Sequence, residues 1–291
     1  MSASVLLGCT KTITVEQQPY EPRLAIESLL MPGQPPRVYL STTVPFFSSV
    51  QTPSTLFARG ASITIDGPGG ADALAADSTF NKFWCRWEPY YEGAIPITQG
   101  ATYELELAFG GQTFSASAVT DLPAVTIDSV SYVTNFVDIY GGHEGVVVDF
   151  VDIPGRADQY RFEMIRLVDS RHETVDDREY SSVCLDEGEV IETPDVGRFV
   201  YFDDRLDGAP VRFVVEPAHI NFEGDVAFIY VQSLDRNAAE FYDRLDRQRE
   251  SNINPFIEPV FLNEVAPGLT GVFGAMNRSE PVRFVFPLDS E

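Results

Sequence analysis

The first residues that could carry chemistry are Leu6, Leu7, Gly8 and Cys9. Their order is that of a bacterial lipobox: a leucine-rich core, a small residue, then a cysteine whose thiol takes a diacylglycerol. The apolar run before Cys9 is short and no basic segment precedes it, so it reads as the tail of a longer export signal. Thr10 to Pro22 is polar, carries two prolines and shows no apolar period, as a tether would. Cys9 is therefore the candidate lipidation site. The other two cysteines, Cys85 and Cys184, lie far apart in the chain. A disulfide between them is open in an oxidising envelope, but two separately buried thiols are the expectation.

Candidate catalytic groups are sparse. His143, His172 and His219 are the only histidines, and none stands in an H-x-x-x-H or H-x-E pattern. They read as surface or loop residues. No G-x-S-x-G elbow occurs. Carboxylates are so frequent that no glycosidase pair stands out. The chain is read as a non-enzyme without a cofactor. Two acidic loops could offer oxygen ligands to Ca²⁺. One is "FDDRLDG", with Asp203, Asp204 and Asp207, and the other is "DSRHETVDDRE", with Asp169, Asp176 and Asp177. Neither has full EF-hand spacing, and in a chain this acidic such loops usually serve as solvated surface. Asp203, Asp204 and Asp207 thus form a weak candidate metal site. The stretch "FWCRWEPYY" is the candidate contact surface, through Trp84, Trp87, Tyr90 and Tyr91, because Trp and Tyr dominate interface hot spots. Alternation would place Phe83, Cys85 and Trp87 on one face and Trp84 on the other.

These groups must be positioned by β structure. The 291 residues are 44% hydrophobic, enough for packed cores in two domains. No run of about 18 apolar residues occurs, so no transmembrane helix is expected. "RVYLSTTVPFF", "ASITIDGPGG" and "ATYELELAFGGQTFSASAVT" alternate as strands, the last with a Gly110-Gly111 hairpin turn. Leu122-Pro123 interrupts the pattern, and "AVTIDSVSYVTNF" begins a new run. The division is then a lipobox and tether over 1–22, an N-terminal β-sandwich over 23–122 and a C-terminal β-rich domain over 123–291. The class is mainly β, two immunoglobulin-like sandwiches in series. One amphipathic helix is expected near Asp235 to Arg249, where Ala238, Phe241, Tyr242 and Leu245 recur at helical spacing behind an Asp235 N-cap. "NINPFIEP" and "GLTGVFGAMNRS" read as turn-rich.

Formal net charge is -24, which argues against a nucleic-acid partner. Lys11 and Lys82 are the only lysines among 20 basic residues. A GC-rich genome accounts for the arginines. The acidic excess points further, to a surface suited to high salt.

Taken in order, "RLAIESLLMPGQPPRVYLSTTVPF", "GATYELELAFGGQTFSASAVTDLPAVTIDSV", "YFDDRLDGAPVRFVVE" and "NPFIEPVFLNEVAPGLTGVFGA" resemble the Bacteroidota envelope lipoproteins grouped as domain of unknown function 4249. The resemblance runs from about Cys9 to Phe286. Its motifs are structural, and no catalytic residues carry over. Members are often encoded beside TonB-dependent outer-membrane receptors. The resemblance therefore implies a lipid-anchored outer-membrane accessory or binding protein that partners such a receptor in uptake. Many exported lipoproteins of this phylum carry acids directly after the cysteine. Here Thr10-Lys11-Thr12 follows and the first acid is Glu16, so the cell-surface and periplasmic faces are both kept open. Two other classes compete: an envelope carbohydrate-processing enzyme, which needs a cleft with two carboxylates, and a structural or adhesive surface protein, which needs only a flat exposed face.

Overall fold

The computed structural model describes residues 20–45, 51–138, 141–173, 184–203, 207–217, 221–253, 258 and 260–287. Cys9 and the tether up to Pro19 lie outside them. The first half carries β1 (Leu24–Leu30), β2 (Arg37–Thr42), α1 (Pro53–Leu56), β3 (Ser62–Gly67), β4 (Gly70–Ala73), β5 (Ala75–Asn81), β6 (Arg86–Glu92), β7 (Thr102–Phe109) and β8 (Gln112–Val119). Beyond Pro123 come β9 (Ile127–Asp138), β10 (Gly141–Val151), β11 (Gln159–Asp169), α2 (Ser170–Glu173), β12 (Val190–Phe202), β13 (Pro210–Val215) and β14 (Val226–Leu234). The chain ends with α3 (Arg236–Ile253), β15 (Glu264–Ala266), β16 (Leu269–Arg278) and β17 (Val282–Val285). The molecule is mainly β and sandwich-like. No helix among the described residues is long and apolar enough to cross a membrane.

Three sheets carry the fold. A ten-stranded sheet runs β12-β11-β14-β16-β1-β2-β6-β5, with β15 added on β16 and β17 on β14. A four-stranded sheet, β4-β3-β7-β8, faces its β1–β2 end, and a three-stranded sheet, β13-β10-β9, faces its β11–β14 end. Alternation builds both cores. Ile63 and Ile65 of β3 and Tyr103, Leu105 and Leu107 of β7 point inward against Ile26, Val38 and Leu40. In the second core Val146, Val148 and Phe150 of β10 meet Tyr160, Phe162 and Met164 of β11.

Neither packing nor hydrogen bonding follows the order of the chain strictly. Leu269 and Phe273 belong to the first core although they follow most of the second core in the chain. They ride on β16, which pairs in parallel with β1, Leu24 opposite Leu269 through Leu30 opposite Ala275. Two sandwiches in strict series would leave that edge of β1 unpaired. The turn reading of "GLTGVFGAMNRS" is corrected here, because most of it is β16. Gly268 does turn the chain between β15 and β16, at φ +86, but Gly271 within the strand permits close approach instead. Gly271 has φ +128, and a Cβ there would sit 1.8 Å from the Ile26 carbonyl oxygen.

The expected helix is α3, extended to Ile253. Asp235 caps it, its Oδ1 accepting from the Ala238 amide at 2.7 Å. Its Oδ2 accepts from the Ala275 amide of β16 at 2.8 Å, so one carboxylate holds both helix and strand. Ala238, Phe241 and Tyr242 are buried against Leu234 and Val272, as their spacing required.

Candidate functional site

The aromatic stretch forms the β5–β6 hairpin at the end of the large sheet. The strand starts only at Arg86, so residues 82–85 are the turn and the expected alternation through Phe83, Trp84 and Cys85 fails. Asn81 shapes that turn, its Oδ1 accepting from the Trp84 amide at 3.0 Å. Phe83 is 4% exposed, packed against Val168 and Ile191 of the second half and edge to face with Trp84 at 4.9 Å. Lys82 donates to Glu189. Cys85, at φ 49, is disulfide-bonded to Cys184, with the Cα atoms 5.5 Å apart. The expectation of two separate buried thiols is thus overturned. It assigned the cysteines to separate domains and did not foresee the hairpin tip reaching across.

Anchoring of the tip leaves the outer side bare. Trp84 is 44% exposed and Trp87 54%, with Phe80 beside them at 37%. Phe80 and Trp87 meet edge to face at 5.3 Å, and the Arg86 guanidinium lies 5.6 Å from the Trp84 ring centre. Tyr90 and Tyr91 do not join this surface. Both are buried. The Tyr91 hydroxyl donates to the Ala58 carbonyl at 2.7 Å, and Tyr90 lies under Arg37 at 4.0 Å. The exposed aromatic patch is therefore Trp84 and Trp87 with Phe80, without Tyr90 and Tyr91. Phe80 lies on β5, outside the aromatic run, and only hairpin pairing brings it opposite Trp87.

The acidic loop is also rearranged. Asp203 is buried, Asp207 is exposed, and Asp204 falls outside the described residues. Asp152, on the loop after β10, completes a group of three, Asp152, Asp203 and Asp207, in which one carboxylate oxygen from each lies within 4.8 Å of the other two. The Tyr160 hydroxyl donates to Asp152 Oδ1 at 2.7 Å and the Gly208 amide to its Oδ2 at 2.8 Å. In return the Gly155 amide donates to Asp207 Oδ1 at 2.6 Å. Sequence reading missed Asp152 because "GVVVDFVDI" presents it as a polar residue closing an apolar strand.

Of the second acidic loop, Asp176 and Asp177 lie outside the described residues. Asp169 pairs with Arg171 at 2.9 Å. His172 is not a surface residue: it is 1% exposed, with Nε2 2.8 Å from Asp225. That pair fastens α2 to the entrance of β14, since Asp225 also accepts from the Phe222 amide at 2.8 Å. His143 lies 3.3 Å from Glu216 on the neighbouring strand edge, and His219 is outside the described residues. An open groove of about 480 Å³ runs along α3, lined by Phe202, Val260 and a charged wall. That wall is Arg236 paired with Glu240 and Arg247 paired with Asp243, the i,i+4 pattern of a solvated helix face.

With this geometry in place, the comparison with family models is informative for class. The model described as "Domain of unknown function (DUF4249)" matches residues 10–280. The chain belongs to that family. No curated protein matches it.

Proposed function

We propose that this protein is a lipid-anchored accessory protein of the outer membrane that works with a TonB-dependent receptor in uptake. In this reading the Phe80, Trp84 and Trp87 patch makes the protein contact. The observation that carries it is the allotment of the three cysteines. Cys85 and Cys184 are joined to each other, which leaves Cys9, behind Leu-Leu-Gly, for acylation. A disulfide also suits an oxidising compartment outside the cytoplasm. The acidic surface then faces a medium whose salt screens its self-repulsion.

Expression with a complete export signal and a fatty-acid probe tests the anchor. The wild-type chain should label and fractionate with membranes, because two acyl chains make binding stable. Cys9→Ser should abolish labelling, while Cys85→Ser should not. Labelling that persists in Cys9→Ser would place the anchor elsewhere and remove the basis for this location.

A further inference from the structure

We propose that the groove along α3 binds a small organic monocarboxylate. Arg244 takes the carboxylate, and the apolar body lies on Phe202 and Val260. This site does not depend on the lipid anchor or on the aromatic patch.

Among the four arginines of α3, pairing and exposure run against each other. Arg236, Arg247 and Arg249 each hold an acid one turn away, Glu240, Asp243 and Asp246, yet their side chains are 54%, 61% and 63% exposed. Arg244 is the partly buried one, and it makes no hydrogen bond, ion pair or ring contact among the described residues. Water satisfies an exposed guanidinium. A partly buried one loses hydration that here no protein group returns. Arg283 on β17 also lacks a partner among the described residues, but it is exposed and needs none.

Helical spacing explains how Arg244 is left over. Ala238, Phe241 and Tyr242 take the buried side of α3, so Arg236, Glu240, Asp243, Arg244 and Arg247 fall together along the groove. Glu240 stands four residues before Arg244 and is the acid it would ordinarily use. Arg236 holds that acid instead, donating from Nε to Oε1 at 2.7 Å while its guanidinium rests 5.2 Å from the Phe202 ring centre. Asp243 is taken by Arg247 at 3.1 Å. Arg244 therefore lines the groove with its charge unanswered.

Charge and surface together select the ligand. Three arginines against two acids leave the groove with one positive charge, in a protein whose formal net charge is -24. One positive charge matches a monoanion. A phosphate dianion would bring its second charge against Glu240 and Asp243. The guanidinium also presents paired N–H donors that fit the two oxygens of a carboxylate. Phe202 and Val260 supply apolar surface beside it, and about 480 Å³ is ample for a small molecule. A carboxylate carried on a ring or short chain uses both features.

The test is a ligand-detected NMR titration of the purified full chain with 3-phenylpropanoate. NaCl is held at about 0.15 M so that screening of the acidic surface is constant. Saturable binding is expected with Kd about 10⁻³ M, as for a ligand of this size held by one charged contact. 3-Phenylpropanol has the same body without the charge, and inorganic phosphate has charge without the body. Each should bind about tenfold more weakly or worse. Arg244→Gln should weaken 3-phenylpropanoate binding about tenfold or more at an unchanged melting midpoint, because no protein contact is lost. Arg244→Lys keeps the charge without the fork and should lie between that variant and the wild type. Arg283→Gln removes the same charge elsewhere and should bind as the wild type does. Absence of saturable binding, or affinity equal to wild type in Arg244→Gln or Arg244→Lys, overturns the proposal. Equal weakening by Arg283→Gln also overturns it, because that pattern is general electrostatics. So does binding of the alcohol or of phosphate as tight as that of the carboxylate.

Discussion

Two of the places where the halves of the molecule meet are built by different means. Along β1 and β16 the join is a parallel ladder with Ile26 and Phe273 in the core beneath it. At the β5–β6 tip it is a disulfide, an ion pair and one buried ring, Phe83. The ladder is part of the folded core, so its loss should unfold the first half. The tip crosslink is added at the edge of the sheet. Its loss should loosen the contact between the halves and leave each core intact. Continuous packing sets the fold, and the covalent pin sets how firmly the two ends are held.

The largest effect should come from Gly271→Ala. The added Cβ would fall 1.8 Å from the Ile26 carbonyl oxygen, at a φ of +128 that alanine resists. Backbone, not a flexible side chain, would have to move. We expect a loss of about 4 kcal/mol or more, at the upper end for single substitutions. Urea titration should show a lower midpoint. A stability within about 0.5 kcal/mol of wild type would show that β16 is not the principal join.

Removal of the pin should come next. Cys85→Ser with Cys184→Ser should lower stability by about 2–4 kcal/mol, as for a native crosslink closing a long loop. Reduction of the wild type should reach the same level. Near-ultraviolet dichroism should keep its core tyrosine signal while protease cuts near the β5–β6 tip become faster. Full unfolding of both variants at room temperature would instead make the pin part of the core.

A pH series separates the two joins further. Asp235 stands at the ladder, capping α3 and accepting from β16. Burial raises its carboxyl to about 6, although the Ala238 and Ala275 amides favour the ionised form. The folded state therefore holds a proton that the unfolded chain, near the ordinary aspartate value of 3.8, has already lost. Its contribution is complete below about pH 4 and is lost as pH rises to about 6, roughly 2–3 kcal/mol in all. Asp235→Asn has no such proton. Wild-type stability minus that of Asp235→Asn should fall across this window and then stay flat. A difference that rises with pH would reverse the assignment.

How legible these joins were depends on their range. The β7–β8 hairpin follows from Tyr103, Leu105 and Leu107 alternating before Gly110-Gly111, and Phe109 does pair with Gln112. Helix α3 follows from apolar residues at i, i+3, i+4 and i+7. Both signals are local. The β1–β16 ladder joins opposite ends of the chain, and the glycines that allow it imitate turn residues in the sequence. Cys85 and Cys184 meet only because the tip crosses between halves. Asp152 reaches Asp203 and Asp207 through the packing of two loops that no period connects. Alternation identified the strands, but not which distant edges pair. Residue type alone grouped Tyr90 and Tyr91 with Trp84 and Trp87, although two are buried and two face solvent.

The smallest effect on folding should belong to the outer side of the hairpin. Trp84 and Trp87 are 44% and 54% exposed, so little apolar surface returns to water when they are cut back. Phe83 and the disulfide hold the tip from the other side. Trp84→Ala with Trp87→Ala should therefore shift stability by only about 0.5–1 kcal/mol. Binding should respond differently, because exposed tryptophans beside an arginine are the residues that dominate interface energy. Co-purification of the tagged chain from detergent-solubilised outer membranes reads this out directly. The wild type should retain the receptor and the double variant should lose it at unchanged melting midpoint. Phe83→Ala is the contrasting change, since it should weaken the inner anchor and leave the outer rings exposed. If the double variant holds the receptor as well as the wild type does, the contact lies on another face, and the aromatic patch is only the uncovered end of a sheet.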